Sequence, residues 1–264
     1  MNTTRIRTIV EKEWAEVFKN RLVIVTVAAL PLLFAVLPLV VLGTTAGSMS
    51  SAGDVTDLPP SFLKACGDLP AFECMQVYIL NQFLVLYMMM PLIIPTSIAA
   101  YSIVGEKTTR SLEPLLATPI TTEELLIGKG LAAAIPAIAG TWGSFLLFAL
   151  LAPVVGATPG VSAAIFSPTW LTAVFLIGPL MAVLSVNFAV MVSSRVTDPR
   201  AAEQIAGVLI VPLMALIFGQ IAGLFVINFT LMLGVAATLA VLDIGAIYLG
   251  AQVFQREAIL TKWK

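Results

Sequence analysis

Residues 105–129 read GEKTTRSLEPLLATPITTEELLIGK, a polar island between two long apolar stretches. Seven of these residues are charged, in a chain of 264 that is 59% hydrophobic and only 11% charged. A charged segment this short, gripped at both ends by apolar helices, stays close to the bilayer surface. There it offers a handle through which something in the aqueous phase can push or pull.

Outward from the island, apolar runs of about 20 residues recur, the length that crosses the hydrocarbon core as a helix. Six are legible, over residues 22–43, 77–104, 130–152, 170–192, 204–227 and 229–250. With a mean hydropathy of +1.01, they leave no stretch able to build a soluble domain with its own core. The expectation is an all-α polytopic membrane protein, one transmembrane domain over residues 1–264. Its non-spanning parts are an N-terminal segment (1–21), an outer loop (44–76), the island (105–129) and a tail (251–264). The first apolar run is longer than the roughly 7–15 residues of a signal peptide's core, so it reads as a retained span.

Lysine and arginine give the orientation, because short cytoplasmic loops retain them. Arg5, Arg7, Lys12, Lys19 and Arg21 precede the first span, and Lys107, Arg110 and Lys129 lie in the island. Arg195 and Arg200 follow the fourth span, Arg256, Lys262 and Lys264 the sixth, and only Lys64 falls on the other side. Both termini are therefore expected in the cytoplasm, with the protein in the plasma membrane. The outer loop is acidic (Asp54, Asp57, Asp68, Glu73) and holds both cysteines, Cys66 and Cys74. On an oxidising face these two could pair; the alternative is two free thiols.

Within the first 21 residues, Ile6, Ile9, Val10, Trp14, Val17 and Phe18 share one helical face, and Arg5, Thr8, Glu11, Lys12, Glu16 and Lys19 fall mainly on the other. An amphipathic helix running into a span is expected to lie in the membrane interface as an elbow, or to serve as a plain topogenic anchor. Inside the island, Ser111 can cap a short helix from Leu112, which Pro119 helps to end. Thr121 and Glu124 fit a capping box, so a new helix starts there and runs into the third span. Prolines at 31, 38, 91, 95, 136, 179 and 212 lie within spans, where neighbours must satisfy the carbonyls they free.

The chain has no histidine, which removes histidine-dependent hydrolysis and the HExxH zinc site; no metal site is expected. Gly128-Lys129-Gly130 does not fit a P-loop, so ATP is not bound by one in this chain. Asp243 is the one deeply placed ionisable residue of the spans, a candidate for a translocation path. Ser185, Asn187 and Gln220 could extend it into a polar seam. On this reading the chain could alternatively be a self-contained channel or secondary carrier that uses Asp243.

The island also resembles a family. Glu106-Lys107, then Ser111-Leu112-Glu113, Leu115-Leu116-Ala117-Thr118-Pro119-Ile120, Glu124-Leu125 and Gly128-Lys129 are similar to the segment after the second span of type-2 ABC export permeases. Their pattern runs from a glutamate and a basic residue, through TLE-x-LL-x-T-P, to E-x-x-x-GK. Serine stands here for the threonine, and Pro114 fills the variable position. The resemblance covers the whole chain in layout and about 25 residues in motif. It implies a transport subunit, not an enzyme, that forms the path with a second copy or a paralogue. A separate cytoplasmic P-loop ATPase would bind ATP and magnesium; no cofactor is expected in this chain, and no nucleic acid among its partners. It further implies that the island is a coupling helix between spans 2 and 3. Glu106, Arg110, Leu112, Glu113, Leu115, Leu116 and Pro119 would engage the ATPase, the three leucines as knobs and Glu106, Arg110 and Glu113 as a polar latch.

Overall fold

The computed structural model describes residues 2–19, 21–47, 69–108 and 120–253. The described residues form helices and turns, with no strand among them. Helix α1 (Thr3–Val17) precedes α2 (Arg21–Gly47); α3 (Ala71–Tyr87) and α4 (Met90–Thr108) follow, then α5 (Thr122–Leu151). Two short helices, α6 (Pro159–Ile165) and α7 (Pro168–Thr172), lead through a π-helical turn (Ala173–Ile177) into α8 (Gly178–Ser193). Helix α9 (Pro199–Ala206) joins α10 (Ile210–Ile221) through a 3-10 turn, and α11 (Phe229–Val253) is last.

Among the described residues, six stretches are long and apolar enough to cross a membrane: Val23–Thr45, Phe72–Glu106, Glu123–Leu151, Pro159–Ser193, Pro199–Ile221 and Phe229–Gly250. They are the six expected spans, several of them longer than the apolar runs alone indicate. Within the segment expected as an outer loop (44–76), α2 runs to Gly47 and α3 starts at Ala71. Span 2 is the hub, with 83% of its most apolar window buried, against 28%, 22% and 28% in spans 1, 5 and 6. Those three turn apolar faces outward, as spans do when lipid or another subunit surrounds them.

Proline shapes the interior through the carbonyls it frees. Pro91 cannot donate to the carbonyl of Tyr87 and its ring crowds that position, so span 2 breaks there into α3 and α4. Met89 bonds instead to Leu86 O at 3.0 Å. In α5, Pro136 leaves the Ala132 carbonyl without a helical donor, and the Trp14 indole takes it at 2.9 Å. Gly178 donates to Ala173 O in the π turn; one residue on, Pro179 cannot donate to Val174 O, and the Trp142 indole does so at 3.1 Å. Two tryptophans thus supply the donors that two prolines lack, each from a neighbouring element.

Around the break in span 2 lies an aromatic core. Trp170, Tyr87, Phe145 and Phe148 are all fully buried, with the Trp170 ring 5.8–6.1 Å from the other three. Its indole donates to Asn81 Oδ1 at 3.3 Å, which satisfies the one polar atom the ring carries inward. Helices α2 and α5 meet where Gly140 faces Pro31, at a spacing that puts an added Cβ 3.0 Å from the proline ring. Ser144 donates to Pro31 O there at 2.7 Å.

Two tight turns close the far end. Gly156 (φ 98°) and Gly223 (φ 71°) are left-handed, and Ala157 and Leu224 donate back to Ala152 O and Gly219 O. Glycine is suited to this helix stop because a side chain there would be strained. Spans 5 and 6 are joined by residues 222–228, which contain no helix, and Asn228 caps α11 through Leu231 N at 2.9 Å.

Candidate functional site

The charged residues flanking the island come together at the end of the bundle where α1, α4 and α5 meet. Helix α1 starts on Asn2, whose side chain accepts from Thr4 N, and buries Ile6, Ile9, Val10, Glu13 and Val17. The apolar members are those expected, but the stripe packs on the protein. Ile9 lies against Gly128 so closely that an added Cβ would sit 2.6 Å from its Cγ2. Only glycine permits that approach.

Helix α5 starts with the expected capping box: Thr121 accepts from Glu124 N, and the Glu124 carboxylate accepts from Thr121 N. The same carboxylate accepts from Asn2 N at 2.8 Å and lies 3.5 Å from the Arg5 guanidinium. One side chain thus starts α5 and anchors the start of α1.

Deeper in the same contact, Lys129, Glu13, Glu106, Ser102 and Lys12 form a closed network. The Lys129 ammonium, 2% exposed, lies 2.7 Å from Glu13 Oε1 and 2.8 Å from Glu106 Oε2. It also donates to Ser102 Oγ at 2.8 Å, and Ser102 donates to Glu13 Oε2. Lys12, on the rim, pairs with Glu106 Oε1 and lies 3.6 Å from Glu13. Two buried carboxylates thus meet two ammoniums, and the outer ammonium, Lys12, also lies 3.4 Å from the exposed carboxylate of Glu16. Burial pushes the Glu13 carboxyl up, but Lys129, Ser102 and Lys12 outweigh it and hold it below its ordinary value. Burial likewise pushes the Lys12 ammonium down, and Glu106 outweighs it, so Lys12 stays above the ordinary lysine value.

An arrangement like this contributes little net stability over an apolar packing of the same shape, because desolvation offsets the attraction. Removing one partner is different, since the remaining charge is then buried unpaired at about 3–5 kcal/mol. Its physical effect is to fix register: the charges balance only when α1, the end of α4 and the start of α5 hold this one arrangement. Nothing here is a nucleophile or a metal ligand set; among the described residues no group of histidine, cysteine, aspartate and glutamate could hold a metal ion.

Of the residues expected to engage an ATPase, Glu106 is in this network, while Arg110, Leu112, Glu113, Leu115, Leu116 and Pro119 lie outside the described residues. So does Cys66; Cys74 is buried and disulfide-bonded. The four residues of the expected seam stand apart. Ser185 faces α4, where its hydroxyl donates to Leu92 O at 2.6 Å. Asn187 turns to α11, its Oδ1 3.6 Å from the Cβ position of Gly250. Gln220 is buried near the far end of α10. Asp243 is buried on the stripe Met232, Ala236, Leu239, Asp243 and Ala246 of α11, and neither carboxylate oxygen has a hydrogen-bond partner among the described residues.

Of the network, sequence reasoning placed only Glu106 in a site; it missed Lys12, Glu13 and Ser102, and held Lys129 only as part of a motif. Glu13 falls seven residues after Ile6, four after Ile9 and three after Val10, a position that a charged residue occupies only with a partner. That was the signal available.

A family model described as "ABC-2 family transporter protein" matches residues 7–251, from within α1 to the end of the sixth span. No individually curated protein matches the chain.

Proposed function

Since the chain belongs to the ABC-2 family of transporter proteins, it is a membrane-spanning transport subunit, and we propose that it is the permease of an ATP-driven exporter. Two copies, or this chain and a paralogue, form the path. A separate cytoplasmic P-loop ATPase, which binds ATP and magnesium, docks on residues 105–129 of each. Both termini are cytoplasmic, the orientation that the distribution of lysine and arginine supports, and the membrane is the plasma membrane.

The observation that carries this reading is that Glu106 and Lys129, one on each flank of the island, pair with each other, and that Lys129 also pairs with Glu13 of α1. A push on the island therefore reaches α1 and both adjoining spans as one displacement. Leu112, Leu115 and Leu116 seat in a cleft of the ATPase, with Arg110 and Glu113 beside them and Pro119 ending the helix. Ionic latches at the rim and leucines at the centre follow the usual anatomy of a docking surface.

The test is purification of the tagged chain from its native membrane. A P-loop ATPase should co-purify in stoichiometric amount and be lost from Leu115→Glu, which places an unpaired charge in an apolar seat, while the variant still elutes as folded protein. Retention of the complex by that variant would count against the docking assignment. A chain that comes down alone at every stringency would favour a self-contained carrier. The unpartnered carboxylate of Asp243 is what supports that second reading.

A further inference from the structure

A slot runs between α8, α10 and α11, with its wall completed by Leu92 at the start of α4. Its volume is about 540 Å3, and Leu92, Leu209, Leu216, Gly234, Thr238 and Leu242 are among the residues lining it. Thr238 is the one hydroxyl of the wall and turns its oxygen back onto Gly234 O at 2.9 Å, so the surface is apolar. On α11 the lining runs from Leu231 to Leu242, about 16 Å at 1.5 Å per residue. Gly234, Thr238 and Leu242 are exposed, so the slot opens sideways to whatever surrounds the bundle. At Gly234 a Cβ would meet nothing within 4 Å.

Leu92 and Leu209 also line a second, smaller cavity of about 60 Å3, together with Thr96 and Glu203. It lies beyond the slot at the end of the bundle where spans 4 and 5 connect. Glu203 is the one charged residue lining either cavity. Its carboxylate accepts from Ser97 Oγ, and no lysine or arginine pairs with it among the described residues. The two cavities meet at their shared lining residues Leu92 and Leu209, so an apolar slot that opens sideways ends beside a carboxylate with which no lysine or arginine pairs among the described residues.

We propose that this slot binds an amphiphilic cation taken from the bilayer: a rod-like apolar body along α11, with an ammonium or amidinium group against Glu203. The volume falls within the range of about 300–1,000 Å3 of small-molecule sites, and an apolar wall with one placed charge is their usual composition. A neutral acyl chain would fill the slot but leave Glu203 unpaired, and an anionic amphiphile would be repelled there. The inference concerns what the chain binds, and it stands or falls separately from ATPase docking.

The test uses the full chain in phosphatidylcholine nanodiscs with two rods of one shape and opposite charge. These are trimethylammonium-diphenylhexatriene and diphenylhexatriene propionate, and empty discs supply the bilayer background. The cationic rod should show a saturable site, one per chain, on the order of tenfold tighter than any site for the anionic rod, since a charge pair at a lipid-facing site is weakly screened. Glu203→Gln should remove that preference and leave binding of the rod itself. Gly234→Phe should remove the site for both rods with unchanged elution; Gly234→Leu replaces it if the larger side chain prevents folding. Equal binding of both rods, or a preference that survives Glu203→Gln, would show a lipid-tail slot and overturn the proposal. So would the absence of any saturable site in a dimer that Gly234→Phe dissociates, which would mark the slot as a contact between copies.

Discussion

Replacing Lys129 by methionine keeps the length of the side chain and removes the ammonium that Glu13 and Glu106 share at 2.7 and 2.8 Å. The network then carries one uncompensated negative charge, with only the rim residue Lys12 left to serve two buried carboxylates. Such a removal costs about 3–5 kcal/mol. Glu13 has an escape, which is to bind a proton at about 1.4 kcal/mol per pH unit above its ordinary value of 4.5. At pH 7 that route costs about 3.4 kcal/mol, and at pH 5 less than about 1 kcal/mol. The apolar stripe of α1 resists little, because Ile6, Ile9 and Val10 can face the acyl boundary nearly as well as the protein. At pH 7 the balance between α1 seated on α5 and α1 lying on the bilayer should therefore move more than 100-fold toward the bilayer. Spin labels at Thr8→Cys on α1 and Ile127→Cys on α5, both exposed positions, read this as a distance distribution in nanodiscs. One short distance is expected for the native network, and a second, longer population for Lys129→Met that shrinks between pH 7 and pH 5. Adding Glu13→Gln to Lys129→Met should restore the short distance. A Lys129→Met distribution identical to the native one from pH 5 to 8, or a double variant no better than the single, would refute the reasoning.

Gly128→Val should unseat α1 by overpacking, at about 1–3 kcal/mol, because its Cβ would lie 2.6 Å from Ile9 Cγ2; Ile9→Ala should restore the native label distance. Trp142→Phe removes the donor to Val174 O and should lower stability by about 1–3 kcal/mol as an orphaned buried carbonyl does. Thermal unfolding in detergent measures this, and the loss should shrink in a Pro179→Ala background, where the backbone can donate again. The native seat of α1 should be flat in pH over a wide window. The depressed Glu13 contributes above its ordinary value of 4.5 and fails as pH falls through its folded value. The raised Lys12 contributes below 10.5 and fails as pH rises past its own folded value. The label distance should hold from about pH 5 to 10 and lengthen in acid; a midpoint near pH 7 would show that Glu13 is not held ionised by its partners.

The spans were legible because about 20 consecutive apolar residues have one physical meaning, and Thr121 with Glu124 was legible because the capping box is local chemistry. The breaks within spans 2 and 4 were not. A helix that is apolar all round has no periodicity for Met88–Met89 or Phe166–Ser167 to interrupt, so only Pro91 and Pro168 marked them. The pairing of each tryptophan with a proline was likewise hidden, since Trp14 and Pro136 are joined by the fold and by nothing in their sequence neighbourhood. The same holds for the expected seam. Ser185 and Asn187 are two residues apart, which on a helix turns them to different faces, and the structure sends one to α4 and the other to α11. Glu106 and Lys129 both stood in a motif, but only the packing of α4 on α5 joins them, and only the packing of α1 brings Glu13 to Lys129.

The network at the foot of the bundle also sets an order for the making of the protein. Glu13 and Lys129 are 116 residues apart in the chain, which at 5–20 residues per second is about 6–23 s of synthesis. Throughout that interval α1 carries a carboxylate on its apolar face with only the neighbouring Lys12, and not Lys129, to receive it. Spans 1 and 2 must be threaded, and the start of span 3 delivered, before the first helix can take its final place. Helix α1, made before the two spans that follow it, is thus fixed only after them, and a ribosome stalled within span 2 would hold a protein in which α1 has no seat.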